Sequence, residues 1–199
     1  MKSDTNNKLR MRSDFELKLQ FDGLRELVDI LNDIGLKYWI GGGTLLGIVR
    51  DGAFIKWDWD VEINVINEDF GQLKSSLVNN LKLKDFSTDV LNQHRNNKIN
   101  ATKYGSRYEI RVWYKNITHY TRRSFRLPKS FFEKSALITF NNYSFSVFTP
   151  EVDYLEYVYG TNWKIPNKTT LKKSYLSKRF RRRFIMSLSY IKKSLIKKP

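Results

Sequence analysis

The spacing of hydrophobic residues changes along the chain, and each spacing predicts a different element. From Ser13 the apolar positions mostly recur every three or four residues, the period of an amphipathic α-helix, and Gly35 suits its end. Ser13 and Glu16 have the spacing of a capping box. A second helix is predicted over residues 68–80, and Pro150 begins a third that runs to residue 158.

Between these helices the hydrophobic residues alternate with polar ones, which predicts β-strands. The predicted strands are 36–40, a strand of acids that ends near 66, 83–90, 98–102, 107–114, 135–140 and 143–148. Asn141 and Asn142 separate the last two strands and suit a tight hairpin turn. Residues 115–130 are basic and are expected to form a loop. The order of elements predicts an α+β domain, with a mixed sheet flanked by helices.

Composition excludes several classes of protein. The 199 residues include no cysteine, so disulfides and thiolate metal sites are ruled out. The first residues lack the apolar segment of a signal peptide, and no run approaches the ~18 apolar residues of a membrane span. We therefore expect a cytoplasmic protein with a loose basic lead-in at 1–12 and one catalytic domain over 13–167.

Positive charge is concentrated at the C-terminal end. Residues 168–199 contain twelve Lys or Arg and no acid, so they supply most of the net charge of +16. Phe184, Leu188, Ile191 and Leu195 recur at helical spacing among these cations. This predicts a basic amphipathic helix that lies on an anionic membrane surface, on its inner face. A helix packed on the domain and non-specific nucleic-acid binding remain open; no specific nucleic acid is expected as a partner.

The chemistry is concentrated in residues 39–63, where an apolar strand meets glycines, a short helix and three acids. Asp58, Asp60 and Glu62 occupy alternate positions, so on a strand their side chains share one face. Converging carboxylates repel one another unless a cation lies among them, and magnesium prefers such hard oxygen ligands. The pattern predicts a magnesium site on these three acids, with manganese as a substitute.

The glycines before the short helix predict a phosphate site. Gly42, Gly43 and Thr44 precede residues 45–49, so backbone N–H groups and the positive end of the helix dipole would face a bound anion. The cations expected to contact the same phosphates are Arg50, Lys56 and, from a later strand, Arg111.

The residues alone leave two interpretations of the acids open. Alternating acids are also typical of a solvated edge strand, and they become specific only together with the glycines about fifteen residues earlier. Glu109, the lone acid of its strand, either joins the first acids as ligand or general base, or is a surface acid paired with Arg107 or Arg111.

Residues 42–62 resemble the LicD/fukutin-related family. The sequence Gly-Gly-Thr-Leu-Leu-Gly at 42–47, Arg50, and Phe-Ile-Lys-Trp-Asp-Trp-Asp-Val-Glu at 54–62 are similar to that family's Gly-Gly-Thr-Leu-Leu-Gly, arginine and Phe-Ile-Pro-Trp-Asp-x-Asp-hydrophobic-Asp. The tyrosine-glycine segment that ends at Pro166 also resembles the family's closing segment. The resemblance thus covers roughly residues 20–166.

The resemblance implies a nucleotidyltransferase-like fold and a phospho-alcohol transferase. The donor would be a CDP-linked alcohol of the choline, ribitol or glycerol type, and the acceptor a sugar hydroxyl of a glycan or lipid-linked saccharide in surface polysaccharide synthesis. Carried over by position, the three acids would bind the metal, and Gly42, Gly43 and Arg50 would hold the donor phosphates. Glu109 looks similar to the family's later acid.

Two residues depart from the family pattern. Glu62 replaces an aspartate but keeps its charge, and Lys56 replaces a proline and adds a charge that bears on donor preference. Two other functions remain open. A nucleotidyltransferase that uses a nucleoside triphosphate on a small molecule or nucleic acid leaves the tyrosine-glycine segment unexplained. A basic adaptor without activity predicts lost acids, whereas all three positions are acidic here.

Overall fold

The capped helix predicted from Ser13 is the first element of the computed structural model, which describes residues 10–166. Helix α1 spans Asp14–Asp33, and the predicted capping box is present: Ser13 Oγ accepts a hydrogen bond from Glu16 N–H, and the Glu16 carboxylate accepts one from Ser13 N–H. Gly35 follows the helix with φ of +69°, in the left-handed region that favours glycine. Both predicted ends of the helix are confirmed.

Within residues 10–166, nine strands and four further helices follow α1. The strands are β1 (Trp39–Ile40), β2 (Asp60–Ile66), β3 (Ser87–Leu91), β4 (Lys98–Lys103), β5 (Ser106–Lys115), β6 (His119–Arg122), β7 (Phe125–Pro128), β8 (Ser135–Phe140) and β9 (Tyr143–Phe148). The helices are α2 (Gly42–Asp51), α3 (Asn67–Leu83), α4 (Ser130–Glu133) and α5 (Glu151–Tyr159).

The strands form one mixed sheet in the order β3-β4-β5-β2-β1-β9-β8, and β6 pairs with β5 and then with β7. The β2–β5 and β1–β9 pairs are parallel, and the other pairs are antiparallel. Helices α1 and α3 flank the centre of this sheet. The expected α+β architecture with a mixed sheet is confirmed.

The two faces of the central strands differ in chemistry. On one face, Val61 and Ile63 of β2 lie beside Tyr108 and Ile110 of β5, and all four side chains are buried. Tyr108 Oη donates a hydrogen bond to the Gln20 carbonyl of α1, so this apolar face packs toward α1. The other face, called the polar face below, carries side chains from three neighbouring strands: Asp60, Glu62, Asn64, Lys98, Asn100, Arg107, Glu109 and Arg111.

The segment that precedes α1 is tied to the start of the sheet. Arg12 is buried, and its guanidinium donates to Ser106 Oγ at 2.7 Å and to the Trp59 carbonyl at 3.1 Å. Its backbone N–H donates to the Lys56 carbonyl at 2.8 Å. The ring of Trp59 lies against the same guanidinium, 4.4 Å from ring centre to Cζ. Arg12 therefore connects the loop that contains Asp58 with the first residue of β5.

The hairpin prediction at the end of the sheet is confirmed, whereas the loop prediction at 115–130 is wrong. Strands β8 and β9 have the predicted bounds, and Asn141 and Asn142 adopt φ of +47° and +60°, as a two-residue turn of this type requires. Residues 115–130 instead contain the β6–β7 hairpin. Tyr120, Thr121 and Arg122 are all buried, on both faces of β6. A strand that is buried on both faces does not need alternating polar residues, and its sequence therefore lacks that signal.

The chain divides into two units after Pro150, and the second unit begins with α5. In α5, Tyr154 and Leu155 are buried, which confirms the helix predicted after Pro150. The predicted basic helix in 168–199 and most of the lead-in at 1–12 lie outside the described residues. No helix in the described part of the chain is long and apolar enough to cross a bilayer.

Candidate active site

The glycines at the start of α2 lie directly against the carboxylates of the acid strand. Gly42 has φ of +56°, and Gly43 N–H donates a hydrogen bond to Glu62 Oε2 at 2.8 Å. A Cβ atom on Gly42 would fall on the Glu62 carboxylate, and one on Gly43 would collide with Asp58 Oδ2. Carboxylate oxygens thus occupy the space that a side chain would take at both positions, and Gly42 also has a backbone conformation that favours glycine.

Two further hydrogen bonds fasten this helix start to β2. Thr44 Oγ1 accepts from Glu62 N–H at 2.9 Å, and Gly41 N–H donates to the Glu62 carbonyl at 3.2 Å. Thr44, predicted as a phosphate contact, is buried and its hydroxyl fixes the position of Glu62. The predicted glycine turn is itself the first turn of α2 and not a separate loop before it.

Asp58, Asp60 and Glu62 lie near one another, and their predicted role as joint metal ligands stays a prediction. Asp58 lies just before β2, and the other two lie on the polar face of that strand. Burial, followed by the negative charges of Asp60 and Glu62, raises the pKa of Asp58 to about 7. The charges of Asp60 and Glu62 are therefore close enough to disfavour the ionised form of Asp58.

Glu109 joins this group through the register of the sheet. In the parallel β2–β5 pair it lies directly opposite Glu62, and its side chain is buried. Arg111 donates to Glu109 Oε2 from Nη2 at 2.6 Å and from Nε at 2.9 Å, and Lys98 Nζ donates to Oε1 at 3.1 Å. Glu109 thus lies beside Glu62 and is paired with Arg111, but it is buried and not a surface acid; its role as ligand or general base stays a prediction.

Arg111 occupies the centre of the acid cluster. It forms ion pairs with Glu62 and Glu109, and its Nη2 lies 3.7 Å from Asp60 Oδ2. Burial disfavours the guanidinium charge, but Glu62 and Glu109 outweigh it and raise the pKa of Arg111 above its ordinary value. Burial would likewise raise the pKa of Glu109, but Arg111 and Lys98 lower it to about 2. Both groups are charged at neutral pH.

The donor set suits a hard divalent cation. Within residues 10–166 no three His, Cys, Asp or Glu side chains already surround one point at metal-binding distance. Magnesium, however, commonly takes only one or two carboxylates and completes its shell with water and substrate phosphate. The repulsion that raises the pKa of Asp58 is the kind of excess negative charge that such an ion relieves. Asp58, Asp60 and Glu62 therefore fit magnesium in chemistry.

Arg50 and Lys56 form ion pairs with acids outside the cluster. Arg50 is in the last turn of α2, about 12 Å along the helix from Gly42 at 1.5 Å per residue, and it pairs with Asp51 at 2.6 Å. Lys56 is exposed and pairs with Asp14 at 2.8 Å. Contacts from these two residues to a phosphate stay predictions.

Four cations lie near the acids, and the sequence indicates them weakly or not at all: Lys98, Arg107, Arg111 and Arg122. Arg107 and Arg111 flank Glu109 at alternate positions of β5, but only the register shows that Arg111 reaches Glu62. Lys98 comes from β4 and is identified only by its pairing opposite Arg111. Arg122 belongs to the segment expected to be a loop, and its burial next to the acids carries no sequence signal.

Comparison with known proteins gives the same region a family context. The sequence model of the LicD/FKTN/FKRP nucleotidyltransferase domain matches residues 35–151, more than half of the chain. This range contains the α2 glycines, the acid strand and Glu109.

Curated relatives match over different lengths. The ribitol 5-phosphate transferase FKRP of Mus musculus is 45% identical over 47 residues, which are 24% of this chain and 10% of that protein. The ribitol-5-phosphate transferase FKTN of Mus musculus is 26% identical over 153 residues, 70% of this chain and 32% of that protein. The chain thus spans at most about a third of these relatives.

A solved structure shows a similar fold. The solution structure of the antibiotic-resistance factor ANT(2'')-Ia aligns with a TM-score of 0.53, and the alignment covers 90% of this chain and 95% of that one. Sequence identity is 12%, so the likeness is one of fold alone.

Proposed function

This chain belongs to the LicD/FKTN/FKRP nucleotidyltransferase-domain family, and on that premise we propose that it transfers a phospho-alcohol from a CDP-linked donor to a glycan hydroxyl. The alcohol is of the ribitol, glycerol or choline type, and ribitol phosphate is named for the curated relatives. The observation that carries the proposal is the contact between the α2 glycines and the carboxylates of Asp58 and Glu62.

This contact suits a diphosphate because it places N–H donors for phosphate oxygens within a few ångströms of carboxylates that can hold a metal ion. The start of α2 presents backbone N–H groups and the positive end of the helix dipole, which stabilise phosphate oxygens. The carboxylates beside it would hold magnesium, or manganese in its place; when bound, the ion neutralises phosphate charge. Because Gly42 and Gly43 lack a Cβ, the Glu62 and Asp58 carboxylates lie directly against the helix start, and a donor phosphate bound at these acids would also face the helix N–H groups.

Asp60 is the acid we assign to proton transfer. An acceptor hydroxyl oxygen attacks the donor's β-phosphorus, the bond to CMP breaks, and the hydroxyl proton passes to the Asp60 carboxylate. Asp60 is half-buried on the polar face and remains accessible, with a side chain 25% exposed. Glu109 is unsuited to this role, because its pairing with Arg111 and Lys98 lowers its pKa to about 2 and makes it a weak base.

Replacement of Asp60 by asparagine tests the reaction. We expect Asp60→Asn to reduce CMP release from CDP-ribitol, CDP-glycerol and CDP-choline by about 1,000-fold or more, while the denaturation midpoint changes little. Asp89→Asn, an exposed acid on β3 of the same sheet, is the matched control and should retain full turnover. Undiminished magnesium-dependent turnover by Asp60→Asn would contradict the assignment.

The same assay separates the competing reaction. Nucleoside triphosphates offered in place of CDP-alcohols should release no pyrophosphate in the presence of any sugar acceptor. Release of pyrophosphate with no turnover of CDP-alcohols would instead identify a nucleotidyltransferase that uses triphosphates.

We also propose that the basic segment 168–199 holds the protein at the inner face of a membrane, near lipid-linked acceptors. Its twelve cations and helically spaced apolar residues support this proposal. Removal of residues 178–199 should abolish sedimentation with vesicles that contain anionic lipid, and unchanged sedimentation would contradict the anchor.

A further inference from the structure

Two arginines, Arg12 before α1 and Arg122 in β6, are buried, and they differ in what their guanidinium groups contact. Arg12 is 3% exposed; its Nε has no hydrogen-bond partner among the described residues, but its Nη1 and Nη2 donate to Ser106 Oγ and the Trp59 carbonyl, and the ring of Trp59 lies against it. Arg122 is 8% exposed, and within residues 10–166 its Nε has no hydrogen-bond partner and no carboxylate forms an ion pair with it. A buried cation without a partner is costly, so its retention requires a reason.

The pairing of β6 places Arg122 on the side of the sheet that carries the acids. Thr121 lies opposite Tyr114 in the antiparallel β5–β6 pair, and side chains alternate between faces along a strand. Arg122 therefore shares a face with Arg111 and Glu109, at the end of β5 that follows them. The charges that act on Arg122 support this placement. Burial, followed by the charge of Arg111, lowers the pKa of Arg122 to about 10, whereas the charges of Glu109 and Glu62 raise it.

Glu109 and Glu62, the carboxylates that attract Arg122, already form ion pairs with other cations. Glu62 and Glu109 both pair directly with Arg111, and Glu109 also pairs with Lys98. Arg122 thus adds a second guanidinium beside Arg111 with no acid left for it among the described residues. Two neighbouring guanidinium groups are the arrangement that recognises a phosphate, because each offers a fork of N–H donors.

We propose that Arg122 binds a phosphate group of the substrate, side by side with Arg111, on the polar face of the sheet. In assigning this phosphate to a substrate, the inference rests on the proposed function. The phosphate belongs either to the donor diphosphate or to a phosphorylated acceptor, and the chemistry that Arg122 recognises is the same in both. The β6–β7 hairpin is then part of the binding site.

Titration calorimetry of the full chain tests the proposal with variants of two adjacent residues. Arg122→Met removes the charge and keeps an unbranched side chain, and Arg122→Lys keeps the charge without the fork. Arg123→Met is the matched control, because Arg123 is the next residue and is exposed. The probes are CDP, and inorganic phosphate added to protein saturated with CDP.

We expect Arg122→Met to lose affinity about 10- to 100-fold, Arg122→Lys to lose less, and Arg123→Met to stay within about twofold of the unaltered chain. Loss of affinity for CDP assigns Arg122 to the donor. Loss of affinity only for phosphate added after CDP assigns it to the acceptor. Unaltered binding of both probes by Arg122→Met, or an equal loss in Arg123→Met, overturns the proposal.

Stability without ligand gives a second readout that separates binding from a structural role. Because Arg122 has no partner in the described part of the chain, Arg122→Met should unfold at the same or a higher denaturant concentration than the unaltered chain. A lower midpoint means that the guanidinium supports the fold, and this overturns the proposal.

Failure of this inference is distinguishable from failure of the proposed function. If turnover of a CDP-alcohol depends on Asp60 but Arg122→Met binds both probes as before, only the role of Arg122 is contradicted. If Arg122→Met loses probe binding but the unaltered chain turns over no CDP-alcohol, the proposed reaction is contradicted and the phosphate site at Arg122 is supported.

Discussion

The two faces of β2 and β5 are made of alternate residues of the same strands, yet they have opposite relations to stability. On the face toward α1, Ile63 and Ile110 are fully buried among apolar side chains. On the polar face, Glu62 and Glu109 lie opposite each other with Arg111 between them. One face supplies the apolar burial that holds the sheet together, while the other gathers like charges that only ion pairs and ligands make tolerable.

Substitutions on the two faces should therefore separate stability from activity. A change on the apolar face should reduce the free energy of unfolding and leave the chemistry of the folded molecules intact. A change on the polar face should alter charge balance, ligand binding or turnover. Three substitutions test this separation, and their expected effects decrease in the order given.

Ile63→Ala should have the largest effect on stability. It removes three buried carbon atoms from the apolar face and should lower the free energy of unfolding by about 3 kcal/mol. Urea denaturation measures this loss. Turnover per folded molecule should be unchanged, because the neighbouring Glu62 and Asn64 point to the other face. Lost turnover in a fully folded Ile63→Ala protein would show that the two faces are not independent.

Glu109→Gln should destabilise the protein by about 2 kcal/mol at pH 7, because Arg111 loses one of its two closest carboxylates. Since ion pairing lowers the pKa of Glu109 from 4.5 to about 2, its stabilising effect is complete above about pH 5. It should vanish as the pH falls from 4.5 to 2, where the carboxylate takes up a proton in the folded protein.

Denaturation curves of the Glu109→Gln and unaltered chains between pH 2 and 7 check this prediction. Asp89→Asn is again the control, and its stability should follow the unaltered chain at every pH. A stability difference for Glu109→Gln that persists unchanged at pH 2 would contradict the assigned ion pair.

Gly43→Ala should have the smallest effect, about tenfold in turnover. A Cβ at this position must push the Asp58 carboxylate out of its place, and a small displacement of a catalytic group slows the reaction. Gly71→Ala in α3 is the control, since nothing lies within 4 Å of its Cβ; it should raise stability by up to ~1 kcal/mol and leave turnover unchanged. Equal turnover in both variants would show that Asp58 has no role.

The sequence predicts those parts of the fold whose signals are local. The capping box of α1, the Asn141-Asn142 turn and the alternating acids of β2 each depend on residues a few positions apart, and all three are present. The β6–β7 hairpin was not predictable in this way. Three consecutive residues of β6 are buried because β7 and β5 cover them, so the strand shows no period-two pattern.

The candidate site was predictable in its parts and not in its assembly. Alternate spacing identified Asp58, Asp60 and Glu62, but the pairing of Glu62 with Glu109 depends on the register of two strands about 47 residues apart. The same register brings Arg111 onto Glu62. No local pattern fixes a contact of this kind, since it is set by how the whole sheet packs.

Arg12 has a consequence for how binding at the acids is transmitted through the protein. Its N–H and guanidinium hold both sides of the loop that contains Asp58, through the carbonyls of Lys56 and Trp59. Opening of the chain before α1 therefore requires these bonds to break, and a ligand that fixes the Asp58 loop makes that opening rarer. Amide hydrogen exchange at Arg12 is thus a reporter, remote from the chemistry, of occupancy at the acid cluster.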